Sequence, residues 1–200
     1  MIGALFENLF DAFLRPRRSV RRLIDGGHGL DAALLLVLLG YLARAIFVLV
    51  TPGARMFDGA MPMAGYLIGL IEAYLTFGIL VIAVHHVGRL FGGTGTLPGA
   101  AIAMAWYQLV VSVLTPFVAS ASVAFIEAVK AASENPDTPP ELPGGSMLIL
   151  SLSLCVMMWL LASYVAELHR FERTWNVLSV MIGLSMGISI LGIALTQGVV

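Results

Sequence analysis

Five apolar stretches, each long enough to cross a bilayer, take up most of this chain. They cover residues 32–50, 63–84, 100–125, 147–166 and 177–195. A helix rises about 1.5 Å per residue, so about 20 apolar residues cover a hydrocarbon core of about 30 Å. The charge content agrees: 12% of the residues are charged, about half the share of a soluble domain, while 59% are hydrophobic. The expected fold is all-α: a polytopic membrane bundle of five transmembrane helices in one domain spanning residues 1–200. The lone cysteine, Cys155, lies in an apolar span and reads as a packing residue.

A net charge of -1 conceals an asymmetry. Arg15, Arg17, Arg18, Arg21 and Arg22 precede the first span, Arg89 follows the second, and Arg170 and Arg173 separate the fourth from the fifth. The loops of opposite parity hold only Arg55 and Lys130. The basic majority stays on the cytoplasmic side, which predicts an N-terminus inside and a C-terminus outside. No cleavable signal is expected, because Glu7 and Asp11 interrupt the first apolar residues.

Before the first span lies a different kind of segment. Within residues 1–24, Ile2, Leu5, Phe6, Leu9, Phe10, Phe13 and Leu14 fall on one helical face, with Glu7 and Asp11 on the other, until Pro16 breaks the pattern. It is too short to span and reads as an amphipathic interfacial helix lying on lipid, on the protein's own cytoplasmic face, or on both. The five arginines that follow suit anionic headgroups, each worth about 1 kcal/mol near such a surface. Val20, Leu23 and Ile24 extend a second short helix toward Gly26.

The turns are marked by their residues. Pro52, Gly53, Gly59 and Pro62 break the chain after the first span. Residues 131–146 carry four prolines and three acids and read as a polar, extended external loop. On the inner side, glycines of residues 88–99 end the second helix; Thr96 reads as an N-cap and Pro98 as a first-turn residue of the third. Pro116 is expected to bend the third span, and Trp175 to sit at the interface.

Two charges break the apolar rule. Arg44 lies about 9 Å, and Glu72 about 14 Å, below the outer edge of their helices. Intramembrane ionisable groups are costly and mark candidate sites. Arg44 and Glu72 are expected to face each other or to share a polar network, with Gln108, about 12 Å from the inner edge, near the same level. Tyr74, Tyr107, Ser112 and Ser120 are possible extensions. Such a network is either a structural register device or part of a transport or lipid-headgroup site. A second group, His85, His86, Arg89, Glu167, His169 and Arg170, lies at the cytoplasmic interface. Its spacing opposes a metal site, since adjacent histidines on a helix point about 100° apart; an ion pair of Glu167 with Arg170 or Arg89 is expected instead. Residues 92–96, GGTGT, lack the lysine of a phosphate-binding loop. Nothing calls for a cofactor, a metal, a nucleic acid or a catalytic set. Gly65 and Gly69, and Ser179, Gly183 and Gly187, stand at spacings that let helices pack closely, within the chain or across a homodimer.

Three features together resemble the Yip (Ypt/Rab-interacting protein, YIPF) membrane domain in its bacterial branch. They are the arginine-rich entry FLRPRRSVRRLI (residues 13–24), the segment HHVGRLFGGTGTLPGAAIAMAWYQ (85–108) with its Gly-Gly-x-Gly-Thr turn, and VAELHRFERTW (165–175) before the last span. The resemblance covers nearly the whole chain. It implies a helical protein of the bacterial inner membrane with no catalytic residues to transfer. Eukaryotic members engage Rab-type GTPases, a partner not carried over, because a long cytoplasmic N-terminal domain is lacking. The expected role is non-enzymatic membrane organisation or recruitment of lipids, anionic at the cytoplasmic face, or of a protein partner. The alternatives are a small transporter or channel built on Arg44, Glu72 and Gln108, and a lipid-modifying enzyme built on the histidine–glutamate group.

Overall fold

The computed structural model describes residues 2–50, 62–134 and 144–196. Among them every regular element is an α-helix: α1 (Ile2–Leu14), α2 (Pro16–Asp25), α3 (Leu30–Val50), α4 (Pro62–Leu90), α5 (Leu97–Ser112), α6 (Thr115–Glu134), α7 (Gly144–Leu168) and α8 (Thr174–Thr196). The first external turn and most of the proline-rich loop lie outside the described residues.

Among the described residues, three helices are long and apolar enough to cross a membrane: α3 over Leu30–Phe47, α4 over Ala64–Leu90, and α7. The pair α5 and α6 qualifies as a fourth when taken as one bent span. The fifth expected span falls in α8, whose described apolar run, Thr174–Gly187, is shorter than a span.

The third apolar stretch is two helices rather than one. They meet at 58°. Pro116 has no N–H to give to the carbonyl of Ser112, four residues earlier, and its ring crowds that carbonyl. Helix α5 ends at Ser112, and Leu114 closes the break by donating to Val111 O at 2.9 Å.

Helix α5 forms the centre of the bundle. Its run from Gly99 to Trp106 is buried throughout. Small residues make this possible: Ala100, Ala101, Ala103 and Ala105 let α2, α3, α4 and α7 all approach the same helix. The crossing with α3 is closest at Gly40, where an added Cβ would lie 3.2 Å from the Cα of Leu109. As the sequence indicates, Thr96 caps α5, accepting the Gly99 N–H at 3.2 Å, and Pro98 occupies the first turn.

Helices α1 and α2 pack on the bundle. Ala12, Pro16, Ser19 and Val20 are buried. Trp106 of α5 donates its indole N–H to Ser19 Oγ at 3.0 Å, and Ser19 Oγ donates to the carbonyl of Asn8 at 3.1 Å. One hydroxyl thus joins α5, α2 and α1. The N-terminal helices thus rest on the protein's own face, while Phe10 and Leu14 of α1 stay exposed.

Candidate functional site at the basic end of the bundle

The end of the bundle that carries α2, the α4–α5 turn and the α7–α8 turn holds most of its polar architecture. Glu167, in the last turn of α7, is buried. Its Oε2 accepts from Arg17 Nε at 2.9 Å, and Arg21 holds the other oxygen, Oε1. Arg17 continues across the α7–α8 turn, donating to the carbonyls of Phe171 at 2.8 Å and Glu172 at 3.1 Å. One carboxylate therefore fastens two successive turns of α2 to the end of α7. Arg22 pairs with Asp11 of α1 at 2.7 Å.

These pairs redistribute the expected basic surface. Arg17, Arg21 and Arg22 are committed to acids within the chain. Arg15 and Arg18 are exposed and have no ion pair among the described residues. The expected partners of Glu167 are corrected as well. Arg170 and Arg89 are exposed and do not reach it; α2 folds over Glu167 and supplies arginines from about 150 residues away.

Next to Glu167, His169 is held on all sides. Its Nδ1 accepts the Gly95 N–H at 3.2 Å. The proton of the neutral ring therefore sits on Nε2, which donates to the Val84 carbonyl at 3.1 Å. The ring stacks on Phe171 with centroids 5.7 Å apart, and the His169 carbonyl accepts from the Thr94 N–H at 3.4 Å. Burial lowers the pKa of His169 below its ordinary value; the Val84 hydrogen bond opposes it, and the neighbouring His85 acts with burial.

Gly88, Gly93 and Gly95, at the end of α4 and in the α4–α5 turn, leave room for this ring. A Cβ on Gly88 would lie 2.1 Å from His169 Nε2, and one on Gly93 would lie 2.4 Å from Nδ1. Any side chain there would occupy the imidazole's space. The GGTGT segment is thus a cradle for a histidine, not for a phosphate. Beyond the ring, Arg170 takes the left-handed conformation (φ 58°) that ends α7, with the Phe171 N–H donating to Ala166 O at 2.8 Å.

The rest of the interface group is less connected. The rings of His85 and His86 approach edge-on at 5.2 Å. Among the described residues, no three His, Cys, Asp or Glu side chains are placed to hold a metal ion.

Arg44, Glu72 and Gln108 are not brought together. Arg44 and Glu72 are both exposed, and no hydrogen bond or ion pair joins the three among the described residues. The register explains the separation. Tyr41 donates to the Tyr66 carbonyl at 2.5 Å and lies against Gly69, while Tyr74 donates to the Leu34 carbonyl at 3.1 Å, so α3 and α4 run antiparallel. Arg44 lies one turn beyond Tyr41 and Glu72 one turn beyond Gly69, in opposite directions, so about 9 Å of helix rise separates them. Ser112 and Ser120 bond back to their own helices, at Leu109 O and Phe117 O. Tyr107 meets Tyr164 edge-on at 6.3 Å.

The small-residue positions divide. Gly65 is buried and Gly69 receives Tyr41. Ser179, Gly183 and Gly187 are exposed on α8, and an added Cβ at either glycine would meet nothing within 4 Å.

An apolar groove of about 540 Å³ opens beside this end, between α4, α7 and α8. Val84 and Val87, Leu161 and Val165, and Val177 and Val180 line its walls, with Glu172 and Asn176 among its few polar residues.

Residues 10–196 match the Yip1 domain family. The chain belongs to this family of integral membrane domains. No curated protein and no solved structure matches it.

Sequence reasoning missed Ser19, Asn8 and Trp106, and it missed the mutual fit of His169 with Gly88, Gly93 and Gly95. The available signal was the density of glycines in residues 88–99, in excess of what a single turn needs.

Proposed function

We propose that this Yip1-domain protein is a non-enzymatic scaffold of the bacterial inner membrane. It crosses five times, with the N-terminus cytoplasmic and the C-terminus external. Its task is to present the α1–α2 helix pair at the cytoplasmic membrane surface, where it recruits anionic lipid or a protein partner. One observation carries this reading: Glu167 takes Arg17 and Arg21 as a clasp, which fixes α2 in place and leaves Arg15 and Arg18 turned outward. A basic helix fixed to a membrane core at this level meets headgroups or an acidic partner without paying to order itself on each encounter. The eight-to-two distribution of basic residues supports the orientation.

The test is replacement of Arg15 and Arg18 together by glutamine in reconstituted protein. Capture of vesicles containing anionic phosphatidylglycerol should fall about tenfold, at about 1 kcal/mol for each arginine less screening. The spans should remain inserted. Unchanged vesicle capture together with unchanged protein pull-downs would contradict the proposal.

A further inference from the structure

The groove between α4, α7 and α8 has the polarity of a single phospholipid. Along α4 it runs from Leu80 to Phe91, about 16 Å of helix rise, or about half the thickness of a hydrocarbon core. That is the depth of one leaflet. Its shaft is aliphatic on all three helices, and its volume of about 540 Å³ is that of a ligand site rather than a packing defect. Its polar residues sit at one end only, where the α7–α8 turn brings Glu172 and the first turn of α8 brings Asn176.

The charge at this mouth selects a headgroup. Glu172 is exposed, lines the groove, and has no ion pair among the described residues. A bare carboxylate at a lipid headgroup level disfavours a second anion and favours a cation. An unpaired acid at the head of an apolar shaft matches the ammonium group of a phospholipid headgroup.

We infer that the groove binds one membrane phospholipid whose headgroup carries a primary amine, as phosphatidylethanolamine does. One acyl chain lies along α4 and α8, and the amine meets Glu172. This deepens the proposed recruiting role and rests on it only in placing this end at a membrane face. The mouth is coupled to the clasp, because Arg17 holds the carbonyls of Phe171 and Glu172 while binding Glu167.

The experiment is native mass spectrometry of the full-length protein in detergent. It would be titrated with palmitoyl-oleoyl phosphatidylethanolamine or with phosphatidylglycerol of the same chains. The first bound lipid should favour the amine headgroup about fivefold, the worth of one partly exposed ion pair. Glu172→Gln, at an exposed position, should abolish that preference while leaving Arg17 and Glu167 paired. Val180→Trp should fill the shaft and remove the high-affinity lipid of either kind. Equal binding of the two lipids by the unaltered protein, stronger binding of the glycerol headgroup, or a preference that survives Glu172→Gln would each overturn the inference. None of these outcomes moves the Arg15 and Arg18 vesicle test, so the two proposals fail separately.

Discussion

Glu167 and Arg17 stand 150 positions apart in sequence and 2.9 Å apart in space. The pair joins a buried carboxylate at the end of α7 to a helix that precedes every membrane-crossing segment. Arg21 completes the clasp on the second oxygen.

Removing the carboxylate's charge should therefore loosen α2. Glu167→Gln keeps the shape but weakens two charge-assisted contacts, and it should cost about 1.5–3 kcal/mol in stability. The cost stays below that of a fully buried pair because both arginines are partly exposed. Chemical unfolding in mixed micelles measures it. A change under about 0.5 kcal/mol would place Glu167 among surface pairs of no consequence.

The glycine cradle makes a sharper demand. Gly88→Ala puts a methyl group into the imidazole of His169 and should destabilise by about 1–3 kcal/mol, as overpacking does. In a His169→Ala background the same substitution should cost much less. A double-mutant cycle reads the difference directly. Additive costs would show that Gly88 serves the turn and not the histidine.

How much of this was legible beforehand depends on the reach of each interaction. The helices could be read because lipid demands long apolar runs, and Pro116 could be read because a missing N–H acts four residues away. Thr96 caps its own helix and needs no distant partner. Glu167 offered no such local sign. Its partners depend on α2 crossing the ends of α5 and α7, so the sequence points to Arg170 or Arg89, neither of which reaches it. The GGTGT turn looks like a local break in sequence, while its Gly93 and Gly95 answer to a histidine more than 70 positions away. Counting from the loop brings Arg44 and Glu72 to similar depths, whereas their register is set by Tyr41 against Gly69.

His169 should give the turn a dependence on acidity. Its pKa is lowered on folding, so the folded state binds the proton less readily than the unfolded chain. Stability is then complete above the ordinary histidine value of about 6.5 and declines as the pH falls through the window below it. A protonated Nδ1 can no longer accept the Gly95 N–H. Protection of the Gly95 amide, measured from its exchange rate relative to the intrinsic rate, should fall between neutral and mildly acidic pH, and His169→Gln should flatten the response. An exchange rate that follows only the intrinsic chemistry of the amide would remove the effect.

The separation of Arg44 and Glu72 also has a measurable consequence. Groups with no shared partner contribute independently, so the two substitutions Arg44→Gln and Glu72→Gln should add to within about 0.5 kcal/mol. A coupling energy above about 1 kcal/mol in a double-mutant cycle would mean that the two charges meet.

The clasp itself is tested most directly by a distance. Spin labels at exposed Arg18 on α2 and exposed Arg170 beyond α7, in a Cys155→Ser background, report whether α2 is held against the bundle in a lipid bilayer. Pulsed dipolar spectroscopy should give one narrow distribution in the otherwise unaltered protein and a broad one after Glu167→Gln. A distribution that is already broad with Glu167 in place, or one that stays narrow without its charge, would contradict the clasp.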